Sequence, residues 1–258
     1  MALKLNTLVA GEPTALPPLL IAHGLFGSAR NWGMISKKLA SDRQVIAVDM
    51  RNHGDSPWDA VHSYPAMAED LAAVIEAHGG RAAVMGHSMG GKTSMVLALT
   101  RPELVERLIV VDIAPITYAH DQDSNIAAMR AVDLSQVKRR ADAEADLARH
   151  VDDPVLRGFF QQNLRISPEG ASWRVNLDAL SDQMPVILGF PEGIGRPYEG
   201  PTLFVTGETS AYTRPENWPG IEALFPAARH SVIPGAGHWV HAEAPAPFVA
   251  SVEAFLAE

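Results

Sequence analysis

The chain has 258 residues, 47% of them hydrophobic, with no cysteine and a formal net charge of −9 at pH 7. That length sustains one substantial core, or one core with a small lid. The acidic balance argues against nucleic acid or an anionic membrane as the main partner, and the lack of cysteine excludes disulfides, thiol catalysis and thiolate metal sites. No apolar run approaches the roughly eighteen residues of a membrane span. The segment Met1–Asn6 lacks the apolar core and small-residue cleavage site of a signal peptide, so the expectation is a cytoplasmic protein. Composition leaves the oligomeric state open.

In chain order, strand-like and helix-like runs alternate, which points to a mostly parallel sheet covered on both faces, an α/β fold. Leu3 to Val9 alternates and reads as an edge strand before the Gly11-Glu12-Pro13 turn. Leu19–Ala22 and Val45–Val48 read as buried strands, with a helix from Asn31 to Ser41 between them. Met67, Leu71, Val74, Ile75 and His78 recur at helical spacing, with Pro65 suited to a first turn and Gly79-Gly80 to the end. His78 reads as a helix-end residue. Ala82–Met85 and Leu108–Val111 are further buried strands, separated by a helix that stops at Arg101-Pro102. Leu203–Val205 and His230–Ile233 read as the last two strands, and Phe248, Val249, Val252, Phe255 and Leu256 give a closing helix its apolar face.

The stretch from Ile116 to Tyr198 breaks this rhythm. It is charged, helical in character, contains Phe159-Phe160 and Trp173, and is too long for an ordinary connection. It reads as a helical cap, residues 116–198, inserted after the Leu108–Val111 strand, with the core formed by residues 1–115 and 199–258. The competing reading is a set of scaffold helices packed elsewhere.

Gly86-His87-Ser88-Met89-Gly90 lies where a strand breaks into a helix. A Gly-x-Ser-x-Gly run there forms a sharp turn that lifts the serine hydroxyl above the sheet edge, with small flanking residues allowing the backbones to pack closely. Ser88 is therefore the candidate nucleophile. A serine hydroxyl needs a base, and His238, in Gly235-Ala-Gly-His-Trp239 after the last strand, is the candidate; His241 is its nearest competitor. An oxyanion hole needs backbone N–H donors. Met89, after the nucleophile, offers one; Leu25, or alternatively Phe26, in His23-Gly-Leu-Phe-Gly27 offers the other. Asp112 ends a buried strand, where an unpaired carboxylate is costly, and is the candidate acid; its competing role is to cap the turn at Ile113-Ala-Pro115. Asp178 is a further candidate if the inserted segment folds back beneath His238. Phe159, Trp173 and Trp239 are candidate pocket walls. Arg51, Asn52 and His53 read as loop-structuring residues, His23 as a loop organiser, and Lys92 as a solvated or cap-pairing charge. No glycine-rich phosphate loop with a ribose-binding acid and no histidine-rich metal spacing is legible, so no cofactor is expected.

Taken together, His23-Gly-Leu-Phe-Gly-Ser28, Asp49-Met-Arg-Asn-His-Gly-Asp-Ser-Pro57, Gly86-His-Ser-Met-Gly-Gly-Lys92, Val111-Asp-Ile-Ala-Pro115 and Gly235-Ala-Gly-His-Trp239 resemble the α/β-hydrolases of the YbfF esterase type and the abhydrolase domain-containing protein 11 group. The resemblance spans nearly the whole chain. It implies a twisted, mostly parallel sheet flanked by helices, an inserted helical cap, and serine-dependent hydrolysis of small-molecule carboxylic esters or acyl thioesters through an acyl-enzyme. In most α/β-hydrolases the acid follows the strand here read as Leu203–Val205, three residues beyond a glycine. That slot holds Ser210, with Glu208 displaced by two positions. The group resembled often lacks an aspartate there, in keeping with Asp112 as the acid and with Ser210 as an auxiliary residue that adds a hydrogen bond to the imidazole. Acyl transfer to another acceptor, perhydrolysis and carbon–carbon bond hydrolysis use the same constellation. A non-catalytic receptor of this fold usually lacks the histidine.

Overall fold

The computed structural model describes residues 1–119 and 122–258. Two residues of the expected cap range, 120 and 121, lie outside the described residues. Among those described, seven strands form one sheet: β1 (Thr7–Ala10), β2 (Leu19–Ala22), β3 (Val45–Val48), β4 (Ala82–His87), β5 (Val105–Val111), and, beyond a long insert, β8 (Thr202–Gly207) and β9 (Ala228–Ile233). Their spatial order is β1-β3-β2-β4-β5-β8-β9; β1 runs antiparallel to β3, and the other neighbours are parallel.

Side chains alternate across each strand, so the sheet feeds two cores. Leu20, Ala22, Ile46, Val48, Val84, Leu108, Val110 and Phe204 face α2 (Tyr64–Ala77) and α3 (Met89–Thr100). Leu19, Ile21, Val45, Ala47, Met85, Ile109, Val111 and Val205 face α1 (Gly33–Leu39) and α11 (Pro245–Leu256). Helix α3 is buried from Met89 to Leu99, which explains why its apolar residues show no single stripe. Ser63 caps α2 by accepting the Ala66 N–H, and Pro65 occupies its first turn.

These strands and helices follow the order that the sequence predicts, with some ends displaced. Leu3–Val9 contributes strand only from Thr7, and the expected helix at Asn31–Ser41 is a short 3-10 turn (Ala29–Trp32) leading into α1. Between β5 and β8 the chain forms α4 (Asp123–Arg130), α5 (Glu144–Leu147), α6 (Pro154–Gln161), a hairpin of β6 (Leu164–Ser167) and β7 (Gly170–Trp173), α7 (Leu177–Asp182) and α8 (Met184–Leu188). The insert, expected as a helical cap, thus carries a two-stranded hairpin beside its helices. Gly170-Ala-Ser-Trp alternates exposed and half-buried residues and pairs antiparallel with Leu164-Arg-Ile-Ser across Pro168-Glu169, a short hairpin that the charged helical runs upstream obscure. The insert closes its own apolar cluster around Met129, Phe160, Leu164, Val175 and Leu180, and Phe26 from the loop after β2 inserts into it.

In the sheet order, β2 sends the chain outward to β3, and the chain returns to β4 on the other side. Loops after β2 and β4 therefore diverge at a topological switch point, where a crevice opens beyond the carboxyl ends of the strands.

Candidate active site

A cavity of about 310 Å³ occupies that crevice, lined by the loop after β2, the β4–α3 turn, His238, and insert residues that include Leu156, Phe159, Ile187 and Leu188. Ser88 stands in the β4–α3 turn with φ 51° and ψ −116°, outside the comfortable range of a non-glycine residue. The glycines around it are sterically obligatory. A Cβ on Gly86 would lie 2.1 Å from the Gly90 carbonyl oxygen, and one on Gly90 would lie 2.3 Å from the Ala22 carbonyl oxygen. The turn is pinned to its neighbour by the Ser88 N–H, which donates to Val111 O at 3.1 Å.

Asp112 follows directly after β5 and is also left-handed, at φ 51°. Its side chain is fully buried and fully engaged. Oδ2 accepts from His238 Nδ1 at 2.7 Å and from the Ser210 hydroxyl at 2.5 Å, and Oδ1 accepts from the Gly207 N–H at 3.2 Å. Left-handed backbone at such a residue costs about 1–3 kcal/mol, and several hydrogen bonds to one carboxylate, each worth about 1.5–3 kcal/mol, offset it. The Ser210 hydroxyl, expected on the imidazole, is thus spent on the carboxylate instead, and it accepts the Tyr212 N–H at 3.2 Å. The Tyr212 ring lies flat on His238, centroids 3.8 Å apart and planes 19° apart. Burial, followed by the nearby Asp112 charge, pushes the Tyr212 phenol up. With Nδ1–H committed to Asp112, His238 keeps Nε2 free to accept a proton. On its other side His87, held neutral by burial and the neighbouring imidazoles, donates Nε2–H to His238 O at 2.9 Å.

Of the two expected donors after β2, Phe26 is already committed: its N–H donates to His53 Nε2 at 3.2 Å. The Leu25 and Met89 N–H groups meet no acceptor among the described residues. His23 ties the loop further, donating Nδ1–H to Gly24 O at 2.8 Å and accepting the Met50 N–H at Nε2 at 2.9 Å. Arg51 forms a bidentate buried pair with Asp70, at 2.6 and 2.8 Å, which anchors the loop after β3.

The remaining expected residues divide between the cavity wall and other parts of the fold. Trp173 does not line the cavity; it packs within the insert and donates its indole N–H to Met129 O at 3.0 Å. Phe159 and Trp239 line the cavity together, ring centroids 6.1 Å apart. Asp178 pairs with Arg130 and is 89% exposed, away from His238. Glu208 accepts the Gly235 N–H at 2.8 Å and so shapes the histidine loop. His241 is buried in α10 (Val240–Glu243) and stacks on Trp32, centroids 4.1 Å apart. Lys92 is not solvated: 1% exposed, it lines the cavity and donates to Leu188 O and Gly189 O at 2.8 and 2.6 Å. Desolvation lowers its pKa to about 7. The stacking of Tyr212 and the hold of His53 on Phe26 were not foreseen, because each joins segments far apart in the chain.

Residues 17–245 match the family model described as the alpha/beta hydrolase fold. The chain belongs to this family. As an α/β-hydrolase it is 43% identical over 248 residues to the sn-1-specific diacylglycerol lipase ABHD11 of Danio rerio, covering 93% of this chain and 78% of that one. It is 38% identical over 258 residues to esterase YbfF of Escherichia coli (strain K12), covering 99% of each. A solved structure titled marine microorganism esterase superposes with a TM-score of 0.94 at 37% identity, covering 98% of this chain and all of that one. This α/β-hydrolase is a hydrolase, as its named relatives are. No helix among its described residues is long and apolar enough to cross a membrane.

Proposed function

We propose that the protein is a serine-dependent hydrolase of carboxylic esters, including acyl thioesters, working through an acyl-enzyme. The observation that carries this reading is the Asp112–His238 hydrogen bond at 2.7 Å beside a strained Ser88 in one cavity. The substrate carbonyl sits with its oxygen toward the Leu25 and Met89 N–H groups. His238 Nε2 takes the Ser88 proton as Oγ attacks, and Asp112 stabilises the imidazolium that results. Collapse of the tetrahedral intermediate passes that proton to the departing alcohol or thiol. Water then repeats the sequence on the acyl-enzyme, with His238 again as base, and releases the acid.

Residues 1–115 and 199–258 form the core that carries these groups in this reading, and residues 116–198 cap the cavity. The named relatives, a lipase and esterases, support ester substrates. Phe159, Trp239, Leu156 and Ile187 among the cavity walls favour an apolar acyl chain. The test is hydrolysis of p-nitrophenyl esters from acetate to palmitate by wild type beside Ser88→Ala. Turnover by wild type with loss in the variant supports the reading, and the chain-length optimum sizes the cavity. Equal turnover by both overturns it.

A further inference from the structure

Phe26 is gripped from both sides of the cavity. Its N–H donates to His53 Nε2 at 3.2 Å, its carbonyl accepts from Asn163 Nδ2 at 2.8 Å, and its ring meets Phe160 edge-on, centroids 5.6 Å apart. His53 belongs to the core loop after β3. Asn163 and Phe160 belong to the insert, at the end of α6 and just before β6.

The residue so held has φ 60°. Left-handed backbone is unfavourable for a non-glycine residue and persists only where its surroundings over-determine it. Here they do. His53 donates Nδ1–H to Arg51 O at 2.9 Å, which leaves Nε2 as an acceptor, and burial keeps the ring neutral. Asn163 is 3% exposed, with its N–H donating to Phe160 O at 2.9 Å and its carbonyl accepting the Arg174 N–H at 2.8 Å. The Gly27 N–H closes the turn onto Gly24 O at 3.0 Å. The peptide groups on both sides of Phe26 are thereby fixed, and the Leu25 N–H directly before them inherits its direction.

We propose that Asn163 is a positioning residue for the oxyanion hole: the insert, through its hold on the Phe26 carbonyl, aims the Leu25 N–H at the developing oxyanion. The inference rests on the esterase reading above. It makes the insert a contributor to transition-state stabilisation and not only a roof over the substrate.

The test uses Asn163→Ala and the near-isosteric Asn163→Asp, which removes the N–H donor but keeps the volume. Arg165→Gln is the comparison, because it breaks another link between insert and core, the ion pair with Asp55, without touching Phe26. Two quantities are read: kcat and KM on p-nitrophenyl butyrate, and inhibition by an alkyl trifluoromethyl ketone. In that adduct Ser88 Oγ bonds to the ketone carbon, the carbonyl electron pair moves onto oxygen, and the serine proton goes to His238, so the oxyanion occupies the hole. The expected result is a fall in kcat of about ten- to a hundred-fold in the Asn163 variants, since misplacing a donor costs most of what removing it does. KM should stay within about two-fold, and ketone affinity should fall in parallel with kcat/KM. Arg165→Gln should keep wild-type kcat. The proposal is overturned if a folded Asn163 variant keeps its kcat, if the loss lies in KM with ketone affinity unchanged, or if Arg165→Gln loses kcat equally. Turnover that survives in Ser88→Ala would instead sink the esterase reading itself.

Discussion

The Asp112 carboxylate reaches His238 Nδ1, at 2.7 Å, from the end of β5, one strand away from the β8 position where the acid most often stands in this fold. Ser210 fills that vacated position and donates its hydroxyl to the same carboxylate oxygen that His238 uses. Asp112 and the Ser210 position are thus joined by a hydrogen bond, and two substitutions separate their contributions to the proposed triad.

Asp112→Asn should leave the fold near intact while reversing the polarity of the contact with His238. An amide N–H facing Nδ1 favours the wrong tautomer, a change that costs about 10⁴ in kcat in the general serine-triad case. Steady-state kinetics on a p-nitrophenyl ester checks this. Near-full activity in a folded Asp112→Asn protein would remove Asp112 from the mechanism.

Ser210→Ala should retain partial activity. The carboxylate keeps the Gly207 N–H and His238, so one hydrogen bond to a charged group is lost, worth about 1.5–3 kcal/mol at most. A kcat lowered by about ten-fold fits that magnitude. Complete loss would mean that Ser210 does more than support Asp112.

Burial lowers the pKa of His62 and His241 to about 3, with nearby positive or imidazole groups adding to it, and lowers His53 and His87 well below the usual value. In the unfolded chain these groups protonate near pH 6.5, while the fold keeps them neutral. The unfolded state therefore binds more protons below pH 6.5, and stability falls as pH drops from there, down to about 3 for His62 and His241. Denaturant midpoints measured from pH 7 to 4 should show this fall. His241→Phe keeps a ring against Trp32, removes the unpartnered Nδ1, and should make the slope shallower. An unchanged slope would contradict the assignment.

The elbow glycines separate steric need from mere presence. Gly90→Ala drives a Cβ to 2.3 Å from the Ala22 carbonyl oxygen, whereas a Cβ at Gly158 in α6 meets nothing within 4 Å. Gly90→Ala should therefore fail to accumulate as folded protein. Gly158→Ala should raise stability by about 0.5–1 kcal/mol through helix propensity. Thermal melts of the two variants check both directions.

Much of this arrangement is legible in the sequence because it is local. A buried apolar run, two spaced glycines around Ser88 and a helix-compatible run after them encode the elbow within about a dozen residues. Asp112 stood out because a carboxylate at the end of a buried strand must find partners. That the Phe26 N–H is already taken is not legible, since its acceptor, His53, stands 27 residues away. Trp173 read as a pocket wall from its type alone, but the hairpin turns it into the insert's own cluster. Lys92 reads as a solvated or cap-pairing charge, and what separates the two, the carbonyls of Leu188 and Gly189 in the insert, lies nearly a hundred residues on.

The most direct measurement is intact-mass and peptide mass spectrometry after treatment with a fluorophosphonate, run in parallel with ester hydrolysis. One equivalent of label on the Ser88 peptide, with turnover lost in proportion, is the expected result, and Ser88→Ala should take up none and hydrolyse nothing. Hydrolysis that survives full labelling, or that persists in Ser88→Ala, would contradict a Ser88 acyl-enzyme.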